Sequence, residues 1–351
     1  MAAATSTDVL IRSLQVRNFR MFDDLRIPKF GLLNLLVGRN NTGKSSVLEA
    51  VSLLATNGSL TSLARALEMR EENLGREAGP LYPVFSLFRR SSYSIGGFEL
   101  RDGNRFLTVT QALFRQDSER RLVPHLPGED AEGSELRIVL TSAKGRLLIE
   151  PSWASLKPKY PNEMSATPCV FVTTGGLNRG EQSALWAGIA ATDWEDRINR
   201  QMHSCFPEIE RVSLVSLGHA AVAVAKVRGA ERAVALRSLG EGANRFFGLA
   251  MAAACASNGV LLIDEVEIGI HYSIQVELWR FLAQAALEFN VQIFATTHSE
   301  DAVRAFGIVA REKPEAEAQL IRLQTREGKV EAVSFEAEDL DYAREADLEI
   351  R

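Results

Sequence analysis

Three observations predict an α/β protein with a mainly parallel core sheet, an antiparallel β subdomain and a separate helical region. The rear half alternates apolar strand-like runs with amphipathic helical ones. The apolar run Leu32 to Val37 leads straight into a glycine-bounded loop and then a helical pattern. Between residues 93 and 149 lie three alternating stretches, with Gly96-Gly97, Asp102-Gly103 and Lys144-Gly145 providing turns, the signature of antiparallel hairpins.

The elements follow in order. Residues 9–19 and 32–37 read as strands, with a turn near Asp23, Asp24 and Pro28 between them. A helix is expected from Lys44 to about Ala55; Thr56-Asn57-Gly58-Ser59 then breaks the pattern, and residues 60–73 form a second, amphipathic helix. Gly75 to Pro83 reads as a loop, and the stretches 93–100, 105–114 and 136–149 as hairpin strands. Residues 151–168, rich in Pro, Ser and Lys, read as a connector. Beyond it come a buried strand at 169–173, a helical segment at 180–202, and strands near 212–217 and 221–227. An apolar helix at 246–256, a strand at 259–263, an amphipathic helix at 273–289 and a last core strand at 291–295 complete the pattern. The organisation expected is one domain over 1–351, with an N-terminal lobe at 1–150 and a C-terminal lobe at 165–351.

Composition sets the class. The chain has 351 residues, 46% apolar and 24% charged, enough to bury a sizeable core. A formal charge of −5 argues against a surface coated in basic residues but not against a local basic patch. The cysteines, Cys169, Cys205 and Cys255, are scattered and lack C-x-x-C spacing, which predicts a reducing compartment and no structural zinc. Neither a signal peptide nor a membrane-length apolar run is visible, so a cytoplasmic location is expected.

The chemistry is carried by short segments. Gly38-Arg39-Asn40-Asn41-Thr42-Gly43-Lys44-Ser45-Ser46 fits G-x-x-x-x-G-K-S between a buried strand and a helix. Its glycines let backbone N–H groups converge on phosphate oxygens, Lys44 adds charge for the β- and γ-phosphates, and the Ser45 hydroxyl suits a Mg²⁺ shell. The following helix aims its positive dipole end at the anion. Val260-Leu-Leu-Ile263 ends in Asp264 and Glu265. Because neighbouring strand residues leave on opposite faces, the two carboxylates are expected to divide the work: Asp264 holds Mg²⁺, and Glu265 reaches the water that attacks the γ-phosphate. Phe294 to Ser299 ends a second apolar strand in His298, placed to hydrogen-bond a terminal phosphate. Finally, Ser238, Gly240 and Gly242 precede the apolar helix and form a second anion-binding geometry. One phosphate loop already serves one side of a nucleotide, so this second site is expected to contact the γ-phosphate held by another copy of the chain.

Taken in order, these segments resemble the P-loop NTPases of the ABC type, specifically the ATPase heads of the class that includes RecF, Rad50, SMC and OLD-family proteins. The nearest resemblance is to stand-alone OLD-related ATP-binding proteins of the AAA-15/AAA-21-like kind. Leu14 to Arg20 resembles their opening strand, Gly38 to Ser46 their Walker A, and Ser238 to Gly242 their signature motif. Asp264-Glu265 with Glu267-Ile-Gly269-Ile-His271 resembles Walker B and the D-loop; Ala295 to Ser299 resembles the switch-histidine segment, and Leu348 to Arg351 a familiar ending.

The resemblance implies an ATP- and Mg²⁺-dependent ATPase that works as a homodimer. Each nucleotide lies between Walker A of one copy and the signature of the other, with Ser238, Gly240 and Gly242 acting in trans. Glu265 then activates water, His298 senses the γ-phosphate, and Asn18 to Arg20 borders the base. Gln111 is the nearest candidate for a Q-loop glutamine but is not counted as a site residue. No heptad arm intervenes, and the roughly fifty residues after His298 are too few for a TOPRIM nuclease domain. Glu338 to Asp341 therefore reads as a solvated tail, and a nuclease or toxin activity is expected from a separate partner. The expected biology is control of that partner or of DNA, in phage defence or DNA repair. Two alternatives remain: a DNA-binding clamp switched by ATP, using Arg89-Arg90, Arg115, Arg120-Arg121, Lys157 and Lys159, and a transporter subunit, disfavoured by Ser-Leu-Gly-Glu-Gly in the signature.

Overall fold

The computed structural model describes residues 9–70, 72, 83–89, 96–126, 132–151, 167–217 and 220–336. Tyr93, Arg90, the loop at 75–82, most of the connector at 151–168, the acidic stretch at 338–341 and the ending at 348–351 lie outside the described residues.

In chain order, β1 (Leu14–Phe19), β2 (Phe22–Ile27) and β3 (Leu33–Val37) precede α1 (Lys44–Ala55) and α2 (Leu60–Glu68). Then come β4 (Gly97–Asp102), β5 (Arg105–Gln116), β6 (Leu122–Pro124), β7 (Glu135–Ser142) and β8 (Gly145–Ile149). The second half begins with β9 (Cys169–Val172), α3 (Arg179–Ile189), α4 (Asp193–Cys205), β10 (Ile209–Leu217), β11 (Ala220–Val227) and β12 (Val234–Ala235). It continues with α5 (Glu241–Cys255), β13 (Val260–Ile263), α6 (Gln275–Phe289), β14 (Gln292–Thr296), α7 (Glu300–Glu312), β15 (Gln319–Arg326) and β16 (Lys329–Phe335).

These strands form an antiparallel sheet in the order β2-β1-β4-β5-β7-β8 with β6 on β5, a small β10-β11-β12 sheet, and a central sheet in the order β16-β15-β3-β14-β13-β9. All central pairings are parallel except β15 with β16. Such a sheet is buried on both faces, and alternate residues of its strands enter two different cores. Leu33, Leu35, Val37, Leu261, Ile263, Ile293 and Ala295 face α5, α6 and α7. Leu36, Val260, Leu262 and Phe294 face α1, α2 and the antiparallel sheet. The two expected lobes are interleaved: β3, from the first 150 residues, lies between β14 and β15 of the second half.

The structure corrects several expectations. The segment around Asp23 and Asp24 is strand β2, not a turn; its buried Phe22, Leu25 and Ile27 are spaced by the exposed Asp23, Asp24 and Arg26 on the outermost strand of the antiparallel sheet. The helix expected over 180–202 breaks at Ala191, whose φ is 59°, and α4 restarts on the Thr192 N-cap with Asp193, Glu195 and Asp196 in its first turn. The strand at 291–295 is not the last of the core. Residues beyond it supply α7, capped by Ser299, and the β15–β16 hairpin, turned at Glu327 and Gly328, both at positive φ.

A buried ion-pair network braces the first helix. Arg20 Nε donates to Glu49 at 2.8 Å and Nη1 to both Glu72 oxygens at 2.7 Å; the Arg20 and Glu49 side chains are 4% and 2% exposed. Removing one partner of such a pair strands a buried charge. Arg20→Met should therefore lower unfolding stability by about 3–5 kcal/mol in urea melts. A loss below about 1 kcal/mol would show that Arg70 alone suffices to hold Glu49.

Candidate nucleotide site

Parallel strands bring their C-terminal ends to one edge, where α/β sheets bind ligands. Here β14 lies between β3 and β13, so the segments after all three meet at that edge. The register pairs Ile263 with Ala295 and Thr296 with Leu36, which sets Thr296 level with Asp264 and just short of the phosphate loop.

The loop itself depends on left-handed backbone. Gly38 has φ 142°, and a Cβ there would lie 2.3 Å from the Leu323 carbonyl oxygen of β15. Gly43 has φ 94°; a Cβ there would lie 2.5 Å from the ring of Phe22 in the β1–β2 hairpin. Only glycine fits either position. Gly43 is also the N-cap of α1 and supplies no side-chain cap, so the first-turn N–H groups are left for an anion. Thr42 is buried, its hydroxyl donating to the Arg39 carbonyl at 2.9 Å, while Arg39, Asn40 and Asn41 are exposed.

Lys44 Nζ donates to the carbonyls of Gly38 at 2.8 Å and Arg39 at 3.1 Å. Burial pushes its ammonium pKa down, opposed by the charges of Asp264, Glu265 and Glu267. The Ser45 hydroxyl lies 3.0 and 3.2 Å from the two Asp264 carboxylate oxygens, across 219 residues of sequence. Ser46 is buried and accepts from Arg70 Nη2 at 2.8 Å.

Beyond β13 the two carboxylates diverge through a backbone turn rather than through strand alternation. β13 ends at Ile263, and Glu265 has φ 50°. Thr296 fixes this turn: its hydroxyl donates to Asp264 at 2.6 Å and accepts from the Glu265 N–H at 2.8 Å. The sequence reading assigned Thr296 no role, although it lies inside the segment ending in His298. Glu265 and His298 face each other with carboxylate and Nε2 3.8 Å apart. Glu267 accepts from the His298 N–H at 2.9 Å.

Asn40, Asn41, Gly43, Lys44, Ser45 and Ser46 line one cavity of about 600 Å³ together with Asp264, Glu265, Thr296 and His298. Met21, Glu49, Met69 and Arg70 close its other end. Arg20, expected beside the base, turns instead into the Glu49–Glu72 network, and Met21 takes the wall position. Gln111 is buried in the middle of β5 and is not part of this lining. Ser45 and Asp264 offer hard oxygen donors only, a set that fits Mg²⁺ when phosphate oxygens and water complete its shell. Among the described residues no group of three or more His, Cys, Asp or Glu is placed to hold a metal.

Ser238, Gly240 and Gly242 do not reach this cavity. Ser238 lies in a short 3₁₀ turn over Leu236–Leu239, exposed, its hydroxyl donating to the Ala235 carbonyl at 2.7 Å. Gly240, with φ 119°, is the exposed N-cap of α5, and a Cβ on it would meet nothing within 4 Å. Gly242 packs against the Gly269 carbonyl, 3.1 Å from a hypothetical Cβ. Of the basic residues considered for DNA, Arg89 pairs with Asp23, and Arg121 pairs with Glu119 at 2.6 Å. Lys157 and Lys159 lie outside the described residues. Among the described residues no helix is long and apolar enough to cross a membrane.

Comparison with known proteins shows what the chain resembles. Residues 73–304 match the family described as "AAA domain, putative AbiEii toxin, Type IV TA system", and residues 10–91 match "AAA ATPase domain". The chain is 22% identical over 372 residues to an "ATP/GTP phosphatase" of Helicobacter pylori, which covers 95% of this chain and 97% of that protein. It is 30% identical over 118 residues to the "DNA replication and repair protein RecF" of Idiomarina loihiensis, covering 33% of this chain and 31% of that one. An SMC head crystallised with the C-winged helix domain of ScpA superposes with a TM-score of 0.53 at 13% identity, covering 93% of this chain and 98% of that one. The fold is thus that of an SMC-head-like ABC ATPase, with a mostly parallel mixed sheet and an antiparallel sheet.

Proposed function

This chain belongs to that AAA-domain family and is an ABC-like ATPase of the RecF/SMC/Rad50 class, and we propose that two copies close around ATP, each completing the other's site. In this reading Gly38 to Ser46 cradle the phosphates, Lys44 swinging from its two loop carbonyls to the β- and γ-phosphates. Ser45 and Asp264 would hold Mg²⁺, which when bound would offset phosphate charge. Glu265 accepts a proton from the attacking water, and His298 hydrogen-bonds the γ-phosphate. Ser238, Gly240 and Gly242 contact the γ-phosphate of the other copy. The observation that carries the reading is the contact between Ser45 and Asp264 inside a cavity that Lys44, Glu265 and His298 also line.

Closure of the pair controls a separate nuclease or toxin partner, or DNA, in phage defence or repair, in the manner of stand-alone OLD-related ATPases. The family description, with its type IV toxin system, and the RecF relative support this direction. A DNA clamp is the second reading; the RecF relative supports it, while two of the basic residues it would use, Arg89 and Arg121, are already paired.

A complementation assay tests the shared site. Ser238→Arg and Lys44→Ala should each be inactive alone, and their mixture should recover at most about a quarter to a half of wild-type turnover, through one-site heterodimers. Normal turnover by Ser238→Arg alone would rule out the trans contact.

A further inference from the structure

Arg245 lies one turn into α5, the helix that Ser238 and Gly240 open, and it is only 5% exposed. Its acceptors are all main-chain carbonyls of other segments. Nη1 donates to Thr173 at the end of β9 at 2.8 Å, and Nη2 reaches the carbonyls of Asp264 at 3.3 Å and Glu265 at 3.5 Å. Nε is buried with no partner. Burial pushes the guanidinium pKa down, while Glu241, Asp264, Glu267 and Glu265 oppose that effect. A buried cation left one hydrogen bond short costs free energy.

Two of the three carbonyls it reaches belong to the peptide units that carry Asp264 and Glu265, and the third, on Thr173, anchors the guanidinium to the end of β9. Those units set the direction of the Glu265 side chain, whose backbone is held at φ 50°. The planar guanidinium fork can span neighbouring carbonyls as a single ammonium cannot. The first turn of α5 meets this turn once more, where Gly242 packs on the Gly269 carbonyl, and the turn itself reaches the segment after β14, where Glu267 accepts from the His298 N–H. The first turn of α5, the turn over residues 264–269 and His298 thereby form one connected body.

We infer that Arg245 is a positioning residue that ties α5 to the backbone of Asp264 and Glu265, transmitting engagement of a second copy's nucleotide by Ser238 and Gly240 to this copy's own Glu265. The inference rests on the shared-site reading above and adds to it a coupling between the two sites. Arg245 does not line the cavity of Lys44, so it acts through Glu265 rather than on ATP.

The test compares wild type, Arg245→Met and Arg245→Lys in steady-state turnover over a range of ATP, in binding of a fluorescent ATP analogue, and in mass by light scattering. Wild type should dimerise with ATP and turn over sigmoidally, with a Hill coefficient approaching about 2. Both variants should bind the analogue within about twofold of wild type while kcat falls about tenfold or more and the Hill coefficient drops to about 1. Arg245→Lys keeps the buried charge, and with it the fold, but gives up the fork; it decides the matter if Arg245→Met does not fold. Wild-type kcat and cooperativity in Arg245→Lys, or a loss of melting temperature with unchanged kcat per folded chain, would overturn the positioning role. Hyperbolic turnover by a wild-type dimer would overturn the coupling and leave the shared site standing. A wild-type chain that stays single in saturating ATP would instead remove the shared site, and the coupling with it.

Discussion

Glu265→Gln should keep ATP bound while turnover falls by about 10²–10⁴-fold, the usual cost of losing a general base. The substitution preserves volume and hydrogen-bonding capacity but removes the group that accepts the proton. The surroundings should hold the new amide in place, because the main chain is fixed from two sides: the Glu265 N–H donates to Thr296 at 2.8 Å and its carbonyl accepts from the Ile268 N–H at 3.1 Å, with Arg245 Nη2 farther off at 3.5 Å. With hydrolysis stopped, the closed pair should accumulate, visible as a doubling of mass by light scattering in ATP and Mg²⁺. Near-normal phosphate release by this variant would take the water-activating role away from Glu265.

Lys44→Ala should act earlier, at binding. Each charge-assisted hydrogen bond to a phosphate is worth about 1.5–3 kcal/mol. Losing the β- and γ-phosphate contacts together should weaken ATP affinity by roughly 10²–10³-fold or more. Turnover should drop to background at millimolar ATP. The fold should survive, because the hydrogen bonds given up are those from Lys44 to the carbonyls of Gly38 and Arg39, which water can satisfy at the open cavity. Isothermal titration against ATP, with a thermal melt as control, makes the comparison. Unchanged affinity in a folded Lys44→Ala protein would contradict the assignment of the phosphate site.

Much of this was readable because the signals are local. The phosphate loop is a contiguous run whose glycine spacing follows from backbone sterics, and the structure requires glycine at both Gly38 and Gly43. Val260 to Ile263 could be read as a buried parallel strand from four apolar residues in a row, and the order β3, β13, β14 along the chain already implied a common edge. What the sequence hid depends on register and distance. Thr296 matters only because β14 pairs beside β13 with Ala295 opposite Ile263. Arg245 reads as an ordinary polar residue in an apolar helix until the carbonyls of Thr173, Asp264 and Glu265 are found around it. Arg20, expected near the base, is drawn into the interior by Glu49 and Glu72, residues 29 and 52 positions away. The β15–β16 hairpin was missed although Glu327-Gly328 marks its turn; Gln319, Arg322 and Gln324, set around Leu320, Ile321 and Leu323, masked a strand that pairs with β3.

The most direct measurement is a structure of Glu265→Gln with ATP and Mg²⁺. The account predicts a triphosphate in the cavity of Lys44 and Ser45, with Ser238 of a second copy within hydrogen-bonding distance of its γ-phosphate. A nucleotide bound elsewhere, or one held in that cavity with no second chain across it, would contradict the account.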